Sequence, residues 1–208
     1  MEVIFLRIPN LVLSTIILFI SNLIVRILGF LYKIFLSKVM GETCLGIYHM
    51  VFNFLMICIA LTTTGIPTAL SCLVAKENAM QDKKETNIFF ISTLYVSFFL
   101  SLIISLIISF NSNYLSFRLL NDGDLNLFIL AICPAVVLIT LSNVFRGYFY
   151  GIKKVIVPAV GQVIEQVSRI LFVFLIAMYI NDKAIQIQKI LLISIIIIPV
   201  QHYVFILI

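Results

Sequence analysis

Long, unbroken apolar runs constrain this chain more than any other feature. They extend from about Leu11 to Leu36, Cys44 to Ala75, Ile88 to Phe110, Leu125 to Phe145 and Val155 to Ile180, with 190–208 a candidate sixth. A hydrocarbon layer about 30 Å thick takes roughly 20 consecutive apolar residues to cross as a helix. Inside it no water can satisfy the backbone, so only helices and closed barrels can span it. A barrel strand would alternate apolar and polar residues, and these runs do not. The expected fold is therefore all-α: a polytopic transmembrane bundle of about six helices. Composition agrees, with 62% apolar and 11% charged residues in 208, against about 25% charged in ordinary soluble domains. A soluble domain of this size has too little interior to hide that apolar surface, and the loops are too short for a separate soluble domain. The first run is too long for a signal-peptide core and lacks a small-x-small cleavage site, so it is expected to persist as a helix.

Charge placement gives an orientation. The net charge is +5, from 14 basic and 9 acidic residues. The basic residues are scattered, so nucleic acid is not an expected partner; membrane lipids or an anionic substrate are. With the N-terminus cytoplasmic, Arg7, Lys76, Lys83, Lys84, Arg146, Lys153 and Lys154 lie inside, and Lys33, Lys38, Arg118, Lys183 and Lys189 outside. That excess of inside cations follows the usual bias, and it makes 76–87 and 146–154 cytoplasmic loops.

No chemistry of the enzymatic kind is legible. The sequence has no phosphate-cradling glycine loop, no paired acids and no nucleophile–base arrangement. His49 and His202 lack partners at metal-ligand spacing, so neither metal nor cofactor is expected. Cys44, Cys58 and Cys72 recur every 14 residues, roughly 21 Å apart on a helix; with Cys133 they read as small apolar residues.

The second run is too long for one straight crossing. Near its middle stands Thr62-Thr63-Thr64-Gly65-Ile66-Pro67, where proline removes a backbone hydrogen bond and clashes with the preceding turn. A kink is expected there, either a packing feature or a hinge at Gly65 and Pro67. In the third run Ser97, Ser101, Ser105 and Ser109 form a small-residue stripe suited to close helix packing.

Polar residues inside apolar runs carry the functional signal, because a charge at a helix centre costs roughly 2.5–3.5 kcal/mol on insertion scales. Asn22, Arg26, Gly29 and Lys33 fall on one face of the first helix. Arg26 is well inside the span, and Lys33 is near enough to an end to snorkel. Gln162, Glu165, Gln166 and Arg169 stand at i, i+3, i+4 and i+7 of the fifth run, with Glu165 and Arg169 in the favourable order for an intrahelical pair. The two striped helices read either as locally neutralised packing or as walls of a translocation path.

Several ordered motifs resemble a known family. They are Val25-Arg26-Ile27-Leu28-Gly29-Phe30, Lys38-Val39-Met40-Gly41-Glu42 with Leu45-Gly46-Ile47-Tyr48, and Gly65-Ile66-Pro67-Thr68-Ala69-Leu70-Ser71. They continue with Phe145-Arg146-Gly147-Tyr148-Phe149-Tyr150-Gly151 and with Pro158-Ala159 leading into Gln162 through Gln166 and Arg169. The chain is similar over these to the stage V sporulation protein B group, in the polysaccharide-exporter branch of the multidrug/oligosaccharidyl-lipid/polysaccharide superfamily. The resemblance implies two six-helix lobes around a central cavity, of which residues 1–180 would form the first and 181–208 a divergent apolar segment. It implies transport of a lipid-linked saccharide precursor, such as lipid II for spore cortex peptidoglycan, across the bacterial cytoplasmic membrane by alternating access. It also implies that Arg26, and less surely Lys33, meets the substrate's pyrophosphate, with Asn22, Gln162, Glu165, Gln166 and Arg169 as further substrate-binding residues. A single lobe would need a second copy or a missing C-terminal half. The alternatives are a truncated non-transporting remnant or assembly partner, and a cation-coupled multidrug exporter.

Overall fold

The computed structural model describes residues 2–120 and 126–179, with side chains over 12–38, 42, 45–118 and 126–175. The 181–208 segment, with its candidate helix, Lys183, Lys189 and His202, lies outside the described residues, as do the side chains of Arg7 and Cys44. Six helices follow in order: α1 (Glu2–Thr63), α2 (Ile66–Ala79), α3 (Lys83–Phe110), α4 (Ser112–Leu120), α5 (Asn126–Gly151) and α6 (Ile156–Tyr179). Among the described residues there is no strand. Five stretches are long and apolar enough to cross a membrane: Val12–Lys38, Leu45–Ala79, Lys83–Phe110, Asn126–Gly151 and Ile156–Leu175. The chain is a multi-pass, all-α membrane protein.

The first span and the first part of the second both belong to α1, which stays helical between them. It is not straight. The side chains of Tyr32 and Tyr48 come together in the core, although on a straight helix they would stand about 24 Å apart. The axis therefore bends between them and returns the second span to the bundle. Tyr32, Leu36, Tyr48, Val51 and Leu55 are all buried in one core with Ile129, Ile132 and Val136 of α5.

α1 ends at the threonine run. Gly65 takes the left-handed conformation at φ 83°, a backbone shape that glycine adopts without steric cost. Pro67 follows in the first turn of α2, where its missing N–H leaves no bond unmade. Three threonine hydroxyls bond back into the last turn of α1. Thr62 donates to Cys58 O at 3.2 Å and Thr63 to Ile59 O at 2.7 Å, and Thr64 donates to Ala60 O. Ala60 O also accepts from Thr64 N at 3.1 Å, so these are additional i−4 bonds of the kind that bends a helix.

α5 is the centre of the bundle, with α2 and α3 packed along it. Its contact with α2 runs through two glycines four residues apart. A methyl group on Gly147 would sit 2.6 Å from Pro67 O, and one on Gly151 would sit 2.6 Å from Val74 Cβ. Small residues at this spacing let two backbones approach closely. Polar links are few: Thr140 Oγ1 donates to Thr62 Oγ1 at 2.8 Å, and Ser105 Oγ of α3 donates to Cys133 O at 3.1 Å. Ser97 and Ser101 of the serine stripe are fully buried.

α2 and α5 run parallel, as the pairs Pro67–Gly147 and Val74–Gly151 require. The start of α1 runs parallel to α6, since Gly29 lies beside Gln166 and the Phe35 and Phe174 rings meet at 5.7 Å. The N-terminal end of α1, the α2–α3 turn and the α5–α6 turn thus share one end of the bundle. α4, the loop helix at the other end, has Ser112 and Ser116 buried and Tyr114 and Phe117 outward. It was not anticipated, because nine residues carry too little periodicity to separate from a loop.

Candidate functional site

The polar stripe of α6 faces two different neighbours. Gln166 is buried and lies beside Gly29 of α1, where even a methyl would make ordinary contact at 3.5 Å from Gln166 Nε2. Glu165 and Arg169 turn toward α5. Gln162 is half-buried one turn before them.

Glu165 is held by two arginines. Arg169 Nη2 reaches its Oε1 at 3.1 Å, and Arg146 Nη2 of α5 reaches its Oε2 at 2.8 Å. The three side chains are each 14–17% exposed, too little for water to screen the cluster as it would a surface pair. Both carboxylate oxygens are occupied, so Glu165 is a bridge between helices rather than the partner of Arg169 alone.

This cluster corrects the charge assignment made from sequence. Arg146 is not a cytoplasmic loop residue. α5 continues to Gly151, and Arg146 lies inside the span. The apolar run ends at Phe145 only when Arg146 and Gly147 are read as a boundary. The available signal was Gly147-Tyr148-Phe149-Tyr150-Gly151, a close-packing glycine pair that belongs in a helix.

The cluster borders a cavity of about 250 Å³ between α1, α5 and α6. Phe52, Leu55, Met56 and Ile59 of α1 and Ile139 of α5 form its apolar wall; Asn143, Arg146, Glu165 and Arg169 form its polar side. Arg169 Nε is buried and has no hydrogen-bond partner among the described residues. Two guanidinium groups against one carboxylate leave a net positive charge at membrane depth. Guanidinium donors in a low-dielectric setting are suited to oxyanions.

Asn22, Arg26 and Lys33 do not enter this cavity. All three are exposed on the flank of the α1 face centred on Gly29 that packs against α6. Since α1 and α6 run parallel there, Arg26 lies at about the depth of Gln162, within a helical turn or so of the cluster. The two polar stripes are side by side at one depth, the α6 stripe inside the bundle and the α1 stripe on its surface. Gly65 and Pro67 sit at the α1–α2 break, with Pro67 docked on α5. Among the described residues no group of histidine, cysteine or acidic side chains could hold a metal.

Comparison with known proteins gives the lineage. The profile of the family described as polysaccharide biosynthesis protein matches residues 11–207, past Ile180 where the sequence motifs end. Stage V sporulation protein B of Bacillus subtilis (strain 168) is 34% identical over 157 residues, covering 76% of this chain and 30% of that protein. Lipid II flippase MurJ of the same organism is 26% identical over 167 residues, 76% of this chain and 31% of the relative. The uncharacterized membrane protein YabM, also of that organism, is 26% identical over 154 residues, 74% and 28% respectively. The chain spans about a third of the length of these relatives. No solved structure matches it significantly.

Proposed function

The chain belongs to the polysaccharide biosynthesis protein family, and from that premise we propose that it forms one lobe of a flippase-like transporter for lipid-linked anionic saccharide precursors. The similarity to a sporulation protein and to a lipid II flippase supports peptidoglycan-type cargo, moved across the bacterial cytoplasmic membrane by alternating access. A second copy, or a C-terminal half like the one its relatives carry, supplies the other wall of the path.

The observation that carries this reading is the exposed Arg26 inside an apolar span. A bare cation on a membrane helix is not left facing lipid; it faces a cavity or a partner. Arg26 attracts the anionic head of the substrate on the open face of α1. Asn22 and Lys33 extend that face, and Gln162, Glu165, Gln166 and Arg169 back it from α6. Bending at Gly65 and Pro67 accommodates the change between inward- and outward-open states.

Orientation follows from the ends of the bundle. Lys76, Lys83, Lys84, Lys153 and Lys154 gather at the end shared by the α1 N-terminus, whereas Lys38 and Arg118 stand at the other. By the positive-inside bias the N-terminus is cytoplasmic. Arg146, counted as an inside loop charge from sequence alone, no longer contributes, and the bias does not need it. The added arginine also weighs against a cationic drug as cargo, because two guanidinium groups at the cavity repel one.

The test is headgroup translocation in proteoliposomes that hold this chain with its complementing half, or with itself alone. Arg26→Ala should abolish transport of a lipid-linked disaccharide precursor while the protein stays folded. Full activity of that variant removes Arg26 from the mechanism. No transport by any pairing supports a non-transporting assembly role.

A further inference from the structure

The Arg146–Glu165–Arg169 cluster is unbalanced in a way that a purely structural ion pair is not. The other acidic residues with described side chains, Glu42, Glu77, Asp82 and Glu85, lie between spans or in the end turns of helices. Glu165 is thus the one described carboxylate away from the end turns of the spans, and it is shared by two arginines. Among the described residues the formal charges of the cluster sum to +1, beside a cavity of about 250 Å³, and the buried Arg169 Nε has no partner among those residues. A buried ionic group without full compensation is costly, and this one faces the cavity rather than packed side chains.

We propose that this cavity is a binding site for one phosphate-type oxyanion, with Arg146 and Arg169 as its donors and Glu165 as a tethered carboxylate that holds the two arginines together when the anion is absent. A phosphate group brings close to two negative charges and three strong acceptor oxygens, more of both than the single carboxylate offers. Planar guanidinium forks match its geometry. Asn143 on the same wall supplies an amide donor to a further oxygen. At about 250 Å³ the cavity is below the range of about 300 to 1,000 Å³ for whole drug-sized ligands and has ample room for one phosphate group. The apolar wall from Phe52 to Ile59 suits the first carbons attached to that group. Glu165 competes with the bound anion, which keeps the grip weak enough to release it.

The inference rests on the transport reading only for the source of the phosphate, a lipid headgroup or a free ion. The experiment measures binding without transport. The 208-residue chain is placed in phosphatidylcholine nanodiscs and titrated with inorganic phosphate in one arm and geranylgeranyl phosphate in the other, followed by calorimetry and thermal shift. Saturable binding in both arms is expected, tighter for the lipid. Binding in the lipid arm alone assigns the site to a headgroup, and binding in the phosphate arm alone assigns it to a free ion. Arg146→Gln and Arg169→Gln should each weaken binding about tenfold or more, the scale of one lost charged hydrogen bond. Glu165→Gln, which removes the competitor, should tighten it by about the same factor. Should that variant fail to fold, Glu165→Asp, whose shorter arm loosens its hold on both arginines, is read the same way. No binding in either arm, or a folded Glu165 variant that binds no tighter than the native chain, overturns the proposal. Binding here without translocation would break the transport reading alone, and translocation without binding here would break this inference alone.

Discussion

The first span of α1 and the span of α5 are near twins by hydropathy and opposites by position. Val12–Lys38 has 27 residues at a mean hydropathy of 2.1, and Asn126–Gly151 has 26 at 2.4. In its most apolar stretch the first span buries no residue against the rest of the chain, whereas α5 buries 56% of its own. Hydropathy reports that a helix crosses the bilayer, not what it touches. In the absence of a hydrophobic force between helices in lipid, contact is decided by close packing and polar links. α5 has those means in Gly147, Gly151, Ala135, Ser142 and Thr140, all buried. The first span presents Val12, Leu13, Ile16, Phe19, Ile20 and Ile27 outward, and it also carries Arg26. One helix supplies cohesion, and the other leaves a face open with a cation on it.

That contrast can be broken by experiment, beginning where the effect is largest. Glu165→Ala strips a shared carboxylate from two enclosed arginines; breaking a buried ion pair from one side costs about 3–5 kcal/mol. Reversible denaturation in micelles should show that loss, and a change under about 1 kcal/mol would mean that water reaches the cluster as at a surface pair. Gly147→Ala drives a methyl group into the Pro67 carbonyl and should cost about 1–3 kcal/mol, the range for overpacking; an unaffected variant would show that α2 and α5 stand farther apart. Thr140→Val deletes the hydroxyl link to Thr62 and should cost only about 0.6 kcal/mol, the mean for such bonds within membranes. Phe19→Ala and Ile27→Ala on the first span should leave the stability of this chain within about 0.5 kcal/mol. A loss comparable to that from Gly147→Ala would place the first span in the core and erase the contrast.

The fold class was readable because an apolar run long enough to cross hydrocarbon has few alternatives, and the family motifs named the lineage. The α6 stripe was readable because a 3.6-residue period brings Gln162, Glu165, Gln166 and Arg169 to one side by local geometry. What could not be read was the third member of the cluster. Arg146 is 19 residues from Glu165 in sequence, on another helix, and only the docking of α5 against α6 and α1 brings the two side chains together. The same arginine stood next to a glycine, a residue that marks a loop in a soluble chain and a close helix contact in a membrane. The bend within α1 was hidden for a related reason: the stretch that carries Gly41 and Gly46 stays helical while the axis is redirected, and no proline announces it.

The contact between Pro67 and Gly147 limits the break at Gly65 to one direction. Glycine has no side chain to withdraw, and the carbonyl of Pro67 already occupies the space that any other residue would fill. α2 therefore cannot close further onto α5, and the same tight seam continues to Val74 and Gly151. This side of the break is braced by backbone from both helices.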